Sequence, residues 1–244
     1  MKMTFPMISV CLATYNGERY IREQLLSIIP QLSPSDEIII SDDGSADTTL
    51  SVIESLNHPQ IRVVCNTGRR GYTPNFENAL RHAKGDYIFL CDQDDVWLPT
   101  KVQTCMQALR QSDFVITDAC VVDRHLEVLH PSFWEFYRSR QGFLNNLVRF
   151  GYLGCCMAFR RSVLERALPF PECDRKASHD NWLALVGMLY YSMSYVPSPQ
   201  ILFRRHDCNT SLATKQKNIT TVWFKVKYRL YLLVQLAKRC FANT

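Results

Sequence analysis

The 244-residue sequence contains no run of the ~18 uninterrupted apolar residues that a membrane span needs. Its amino terminus, MKMTFPMISVCLATYN, has one lysine and turns polar after a short apolar run, so no signal peptide is expected. Neither G-x-G-x-x-G nor G-x-x-x-x-G-K-S/T occurs, which disfavours dinucleotide cofactors and P-loop hydrolysis. The ten cysteines lack the paired C-x-x-C spacing of a zinc site. Most sit in apolar runs (ISVCLA, RVVCN, IFLCD, YLGCCMAF) and read as buried free thiols in a reducing cytosol. No repeat, low-complexity tract or clear linker is present, so one domain is the simplest division. Acidic residues are nearly missing from one end. Residues 201–244 hold nine Lys+Arg against one acid, Asp207, whereas residues 1–200 hold 19 Lys+Arg against 22 Asp+Glu. The net charge of +5 averages a mildly acidic body and a basic tail, so a nucleic-acid footprint spread over the protein is not expected.

What is present is an alternation typical of globular α/β proteins, in a composition of 47% hydrophobic and 21% charged residues. Strands are predicted at residues 7–13 (MISVCLA), 37–41 (EIIIS), 61–65 (IRVVC), 86–91 (DYIFLC) and 113–117. Helices are predicted at 17–29, at 47–56 with Ser45 as N-cap, at 74–83 with Pro74 in the first turn, and from Pro99 to about residue 111. Strands apolar on both faces and separated by helices indicate a parallel sheet, whose ligands bind beyond the carboxyl ends of its strands. The polar clusters sit at those exits: Thr14-Tyr15-Asn16, Asp42-Asp43, Asn66, and Asp92-Gln93-Asp94-Asp95. Four successive strand exits carrying acids and amides predict one site. Further on, an aromatic-rich stretch at 130–155 is followed by a strand candidate at 154–159 and a helix at 181–190.

Asp92-Gln93-Asp94-Asp95 is the sharpest feature. Carboxylates this close repel unless a cation or hydrogen-bond donors compensate them. Hard divalent metals prefer carboxylate oxygens together with phosphate oxygens. Taken alone, the motif also reads as a solvated acidic turn that caps the next helix. Asp42-Asp43-Gly44-Ser45 can accept hydrogen bonds from a base or a ribose, and it can equally form a turn and cap.

The segments ISVCLATYNGERYIREQLLSI, DEIIISDDGSADTT and GDYIFLCDQDDVWLPTKV closely resemble the amino-terminal half of family-2 glycosyltransferases, which have the GT-A fold. The likeness is strong over residues 7–103 and weaker through ASHDNW to FRRHDCNTS. The DQDDVW form is most similar to bacterial enzymes of surface-polysaccharide synthesis, rhamnosyltransferases among them. The resemblance implies an α/β chain with a Rossmann-like, mostly parallel sheet flanked by helices. It implies a domain over 1–214, with a nucleotide-binding half at 1–120 and an acceptor-binding half at 121–214. It implies that Thr14, Tyr15 and Glu18 contact the nucleotide. Asp42 would hydrogen-bond the base, with Asp43 beside it. Asp92 and Asp94 would position the ribose or sugar and bind Mg2+ or Mn2+ at the diphosphate. Asp180 falls where the family carries its catalytic base, and could equally cap a helix starting near Asn181. His206 falls where many members carry a group near the metal and diphosphate, as a metal or substrate contact. The implied partners are a UDP- or dTDP-sugar and a glycan or lipid-linked acceptor.

The chemistry can be argued without the family. An inverting transfer needs a base on the acceptor hydroxyl and positive charge on the leaving diphosphate. Arg204, Arg205 or His206 could add to that charge, and Asn75 and Arg69 either reach the nucleotide or serve as loop and cap. A nucleotidyltransferase would need a richer Gly and basic loop than LATYNGERY offers. A non-catalytic sugar-nucleotide-binding protein would need neither an intact D-Q-D nor Asp180. The tail, 215–244, reads as a basic, aromatic, amphipathic helix over 215–241. It either lies on an anionic membrane surface or packs on the body. The expected location is cytoplasmic, peripheral at the inner face of the membrane if the first alternative holds.

Overall fold

A computed structural model of the chain describes residues 6–172, 178–206 and 222–241. The amino-terminal half alternates as its apolar runs require: β1 (Ile8–Thr14), α1 (Ile21–Ile28), β2 (Glu37–Asp42), α2 (Thr49–Glu54), β3 (Ile61–Cys65), α3 (Tyr72–His82) and β4 (Tyr87–Asp92). A two-residue β5 (Val96–Trp97) and α4 (Lys101–Ala108) follow. The rest comprises β6 (Phe114–Val122), β7 (Val128–His130), α5 (Phe133–Tyr137), α6 (Phe143–Val148), β8 (Met157–Arg160), α7 (Arg161–Ala167), α8 (His179–Tyr190), β9 (Met193–Arg204) and α9 (Val222–Phe241).

The strands form one mixed sheet in the order β3-β2-β1-β4-β8-β6-β9-β5, with β7 paired to β6. Strands β3, β2, β1 and β4 run parallel, and β6 and β9 are parallel to each other. Strand β8 lies antiparallel between β4 and β6. The central strands are buried on both faces, which explains their unbroken apolar runs. Register aligns the exits: Thr14 is opposite Asp42, Ala13 opposite Asp92, and Asp42 opposite Cys65. The strand-end acids thus share one edge of the sheet.

Several local expectations shift. Helix α2 begins at Thr49, and Ser45 does not cap it. The Asp47 carboxylate accepts from the Thr49 amide instead, at 3.0 Å. Residues 154–156 form a 3-10 turn, so β8 starts only at Met157. Strand β9 was not expected. Pro197 and Pro199 cannot donate to a ladder, and the β6–β9 register shifts near them, at Thr117/Asp118. Among the cysteines, Cys11, Cys91, Cys105, Cys155 and Cys156 are buried free thiols, whereas Cys65 and Cys240 are exposed. Cys173, Cys208, residues 207–214 of the weaker motif and residues 215–221 of the tail lie outside the described residues.

Candidate active site

The turn after β1 and the turn after β4 are clamped together by Gln93. Its Oε1 accepts from the Thr14 hydroxyl at 2.7 Å and from the Tyr15 amide at 2.9 Å, while its Nε2 donates to the Tyr15 carbonyl at 3.2 Å. A Cβ on Gly17 would stand 2.4 Å from Gln93 Oε1, so the chain passes the clamp as glycine. Thr14 is buried and Tyr15 is exposed. Asn75, inside α3, donates to the Thr14 carbonyl at 3.1 Å and holds the same turn from the other side.

The turn after β2 is closed by its own carboxylates. Asp42 Oδ2 accepts from the amides of Gly44 and Ser45, both at 2.9 Å, and its Oδ1 accepts from the Ser45 hydroxyl. Gly44 sits at φ +83°, a left-handed position that suits glycine. Asp43 accepts from Asn66 Nδ2 at 2.7 Å and from the Gly71 amide at 2.8 Å. Glu18 is exposed at the surface. Its carboxylate accepts from the Thr48 amide and hydroxyl at 2.9 and 2.6 Å. Arg69 Nη1 donates to the Glu172 carbonyl at 2.6 Å.

The turn after β4 behaves differently. Asp92 is partly buried, and burial together with negative Asp94 and Asp180 pushes its carboxyl up to about 7. Asp180 is therefore near enough to the D-x-D turn for its charge to act on Asp92. It lies within the first turn of α8, and its Oδ1 accepts from the Asn181 amide at 2.7 Å. The helix starts at His179 after Ser178, so Asp180 is not its N-cap. The rest of that turn is core: Asn181, Trp182 and Leu183 are buried, which holds Asp180 at the edge of a rigid element. His179 is buried and stacked on Phe76 at 4.0 Å between ring centroids, and burial lowers its pKa from 6.5.

Strand β9 returns the chain to the acids. His206 Nε2 lies 2.8 Å from Asp94 Oδ2, across 112 residues of sequence. The His206 ring lies tilted against Tyr20, 4.9 Å between centroids. Arg204, a sequence candidate for the diphosphate, is instead buried with its guanidinium paired to Glu23. It also donates to the carbonyls of Asp94 at 2.8 Å and Arg124 at 3.0 Å. A cation held this deeply supports the turn rather than a ligand. Arg205 is partly buried, and its amide donates to the Val122 carbonyl at 2.8 Å.

Below the turn lies a layer that motif reading did not assign. Asp95 is buried, and one of its oxygens accepts from the Arg204 amide at 3.0 Å. Burial and the charges of Asp94 and Asp92 push its carboxyl well above the usual range. Oxygens of Asp92 and Asp95 and the Cys155 thiol lie within 4.8 Å of one another. Lys101 is fully buried, donates to the Cys155 carbonyl at 2.6 Å, and sits 4.1 Å from the Trp97 ring centroid. A lysine two residues after Pro99 reads as a helix opener, and nothing in its spacing signals burial.

The hard donors of this turn are the carboxylates of Asp92 and Asp94, and the imidazole of His206, a softer donor, stands beside Asp94. Carboxylate oxygens of this kind fit Mg2+ or Mn2+. The raised Asp92 carboxyl marks surplus negative charge that such a cation would offset.

Residues 9–168 match the family model described as glycosyl transferase family 2. The chain belongs to that family. A curated relative of this family-2 chain, the dTDP-rhamnosyl transferase RfbG of Shigella flexneri, is 28% identical over 246 residues, or 92% of this chain and 79% of the relative. The chain spans only 53% and 35% of the length of two other curated relatives. The solved structure of S. aureus TarS 1-349 in complex with UDP-GlcNAc aligns with a TM-score of 0.70 at 18% identity, covering 98% of this chain and 67% of that one. The mannosyltransferase PcManGT from Pyrobaculum calidifontis, in complex with GDP-Man and Mn2+, aligns at 0.61 and 23% identity, covering 98% and 65%. At such identities the likeness concerns the fold, a mostly parallel GT-A sheet flanked by helices. Among the described residues, no helix is long and apolar enough to cross a membrane.

Proposed function

We propose that this family-2 chain moves a sugar from a nucleoside diphosphate sugar to a hydroxyl of a glycan or lipid-linked acceptor, with inversion and with Mg2+ or Mn2+. The carrying observation is the pairing of His206 with Asp94 in the turn that holds Asp92, with the charge of Asp180 acting on Asp92. The donor side is residues 1–120, where Thr14, Tyr15, Glu18, Asp42 and Asp43 meet the nucleotide. A UDP- or dTDP-sugar is favoured by the dTDP-rhamnosyl transferase relative and by the UDP-GlcNAc complex of the similar fold. The acceptor side is residues 121–214.

Asp94, Asp92 and His206 would hold the cation, and His206 serves as ligand only with its imidazole neutral. When bound, the cation supplies positive charge on the leaving diphosphate. Asp180 takes the proton from the acceptor hydroxyl as that oxygen attacks the anomeric carbon. One displacement with the base opposite the leaving group inverts the anomeric centre.

Calorimetry of UDP- and dTDP-sugars with Mn2+ and with chelator tests the metal. Asp94→Asn is expected to lose the metal-dependent part of donor binding, and equal affinity with and without Mn2+ would overturn the assignment. NMR of the product anomer tests inversion, and a retained configuration would overturn it.

A further inference from the structure

Helix α9 is apolar on two opposite sides. On one side Leu232 and Leu236 are buried against the body, with Tyr228 and Tyr231 packed beside them. That side is fastened by polar contacts. The Tyr190 hydroxyl donates to the Leu236 carbonyl at 2.7 Å, Asn181 Nδ2 donates to the Tyr228 hydroxyl, and Arg239 donates to the carbonyls of Leu168 and Pro169. The other side carries Trp223, Val226, Leu230, Leu233 and Val234, whose helical spacing makes one stripe. All five are exposed, Trp223 by 65% and Leu230 by 57%. Arg229 ties α9 to α6 by donating to the Leu147 and Val148 carbonyls at 3.3 and 2.7 Å. Helix α6 adds Leu144, exposed by 74%, and exposed Val148.

A surface helix ordinarily turns polar residues outward. A contiguous exposed apolar patch marks an interaction site. Charge decides what covers this one. Helix α9 carries Lys225, Lys227, Arg229, Lys238 and Arg239 and no acidic residue. Lys225, Lys227 and Lys238 are exposed, and the Lys227 ammonium stands 5.0 Å from the Trp223 ring centroid. Two copies meeting through this face would bring like charges together, which is unfavourable. An anionic lipid surface would neutralise them, at about 1 kcal/mol for each basic residue near it.

We propose that the outer stripe of α9, with Leu144 and Val148 of α6, lies on an anionic phospholipid membrane. The apolar side chains enter the headgroup boundary, and Lys227 and Lys238, which flank the stripe, meet lipid phosphates. The same helix therefore both packs on the body and faces the bilayer. The surface stands apart from the transfer reaction, because its test needs neither donor nor turnover.

The full chain is floated on a density gradient with phosphatidylcholine vesicles, with and without phosphatidylglycerol. Co-migration with the anionic vesicles is expected, weaker on phosphatidylcholine alone and in high salt. Leu230→Asp combined with Val234→Asp is expected to lower partitioning about tenfold or more at an unchanged melting temperature, since both side chains face outward. Tryptophan emission is expected to shift to shorter wavelength on binding, and Trp223→Phe to remove that shift, because Trp97 and Trp182 are buried and Trp134 is partly buried, packed against Tyr152 and Tyr195. If the aspartate variant unfolds, Lys227→Glu with Lys238→Glu tests the same contact through charge alone and is expected to weaken flotation. Three results would overturn the proposal: no flotation of the wild-type chain, equal flotation of the variants, or a dimer that the aspartates split without any lipid binding.

Discussion

After β2, Asp42 and Asp43 accept hydrogen bonds from Gly44, Ser45, Asn66 and Gly71, so the chain itself meets their charge. After β4, Asp92 faces the charges of Asp94 and Asp180, and its carboxyl rises to about 7. Both turns leave the same edge of the sheet and both are acidic. The first is built from partners two or three residues away plus a neighbouring loop, and it is complete without a ligand. The second gathers groups from β4, α8 and the end of β9, and leaves negative charge for a ligand to satisfy. A rigid turn and a charge-loaded turn side by side suit a site in which one holds and the other reacts.

Four substitutions probe that contrast, from the largest effect to the smallest. Asp180→Asn is expected to lower turnover by about 10²–10⁴-fold while donor affinity stays within about twofold. Steady-state kinetics with calorimetry checks this, and normal turnover would take the reacting role away from the β4 side. Asp43→Ala removes one of the two bonds of the Asn66 amide and leaves the Gly71 N–H without its acceptor, and is expected to cost about 1–3 kcal/mol in urea unfolding. Unchanged stability would show that the β2 turn is not self-completed.

Asp92→Asn works in the opposite direction. With the carboxyl raised from 3.8 to about 7, the native chain binds more protons than the unfolded chain between those values. Stability without a cation therefore falls as pH rises through that window. The asparagine variant is expected to gain about 1 kcal/mol or more at pH 8 in chelator, roughly a 3 °C rise in melting temperature. It should also flatten the slope, and Mn2+ should flatten it in the wild-type chain alone. A wild-type slope of opposite sign would remove the charge surplus from the β4 side. Ser45→Ala deletes one hydrogen bond to Asp42 and one from the Asn16 amide, and is expected to cost about 0.5–1.5 kcal/mol in thermal melts.

Much of the amino-terminal half was readable in advance, because its strands are apolar on both faces and its acids follow them directly. Three features were not readable. Pro197 and Pro199 masked β9, the strand that delivers His206. Gln93 reads as a spacer between acids, and only the fold shows it clamping Thr14 and Tyr15. Arg204 looks like a phosphate ligand in an R-R-H run, yet it is buried against Glu23. Each depends on a contact made across about 80 residues or more, beyond the reach of local pattern.

The sequence by itself determined the α/β alternation, the family, and the acids and amides at four strand exits, because burial of apolar strands and helices is a local, periodic constraint. It also determined that the tail is basic and aromatic. Only the tertiary structure decided which acids are already satisfied and which are not, since that depends on partners brought from distant segments. It also decided that α9 binds the body with one side and leaves the opposite apolar side exposed, because two apolar stripes on one helix are separated only once something packs against the first.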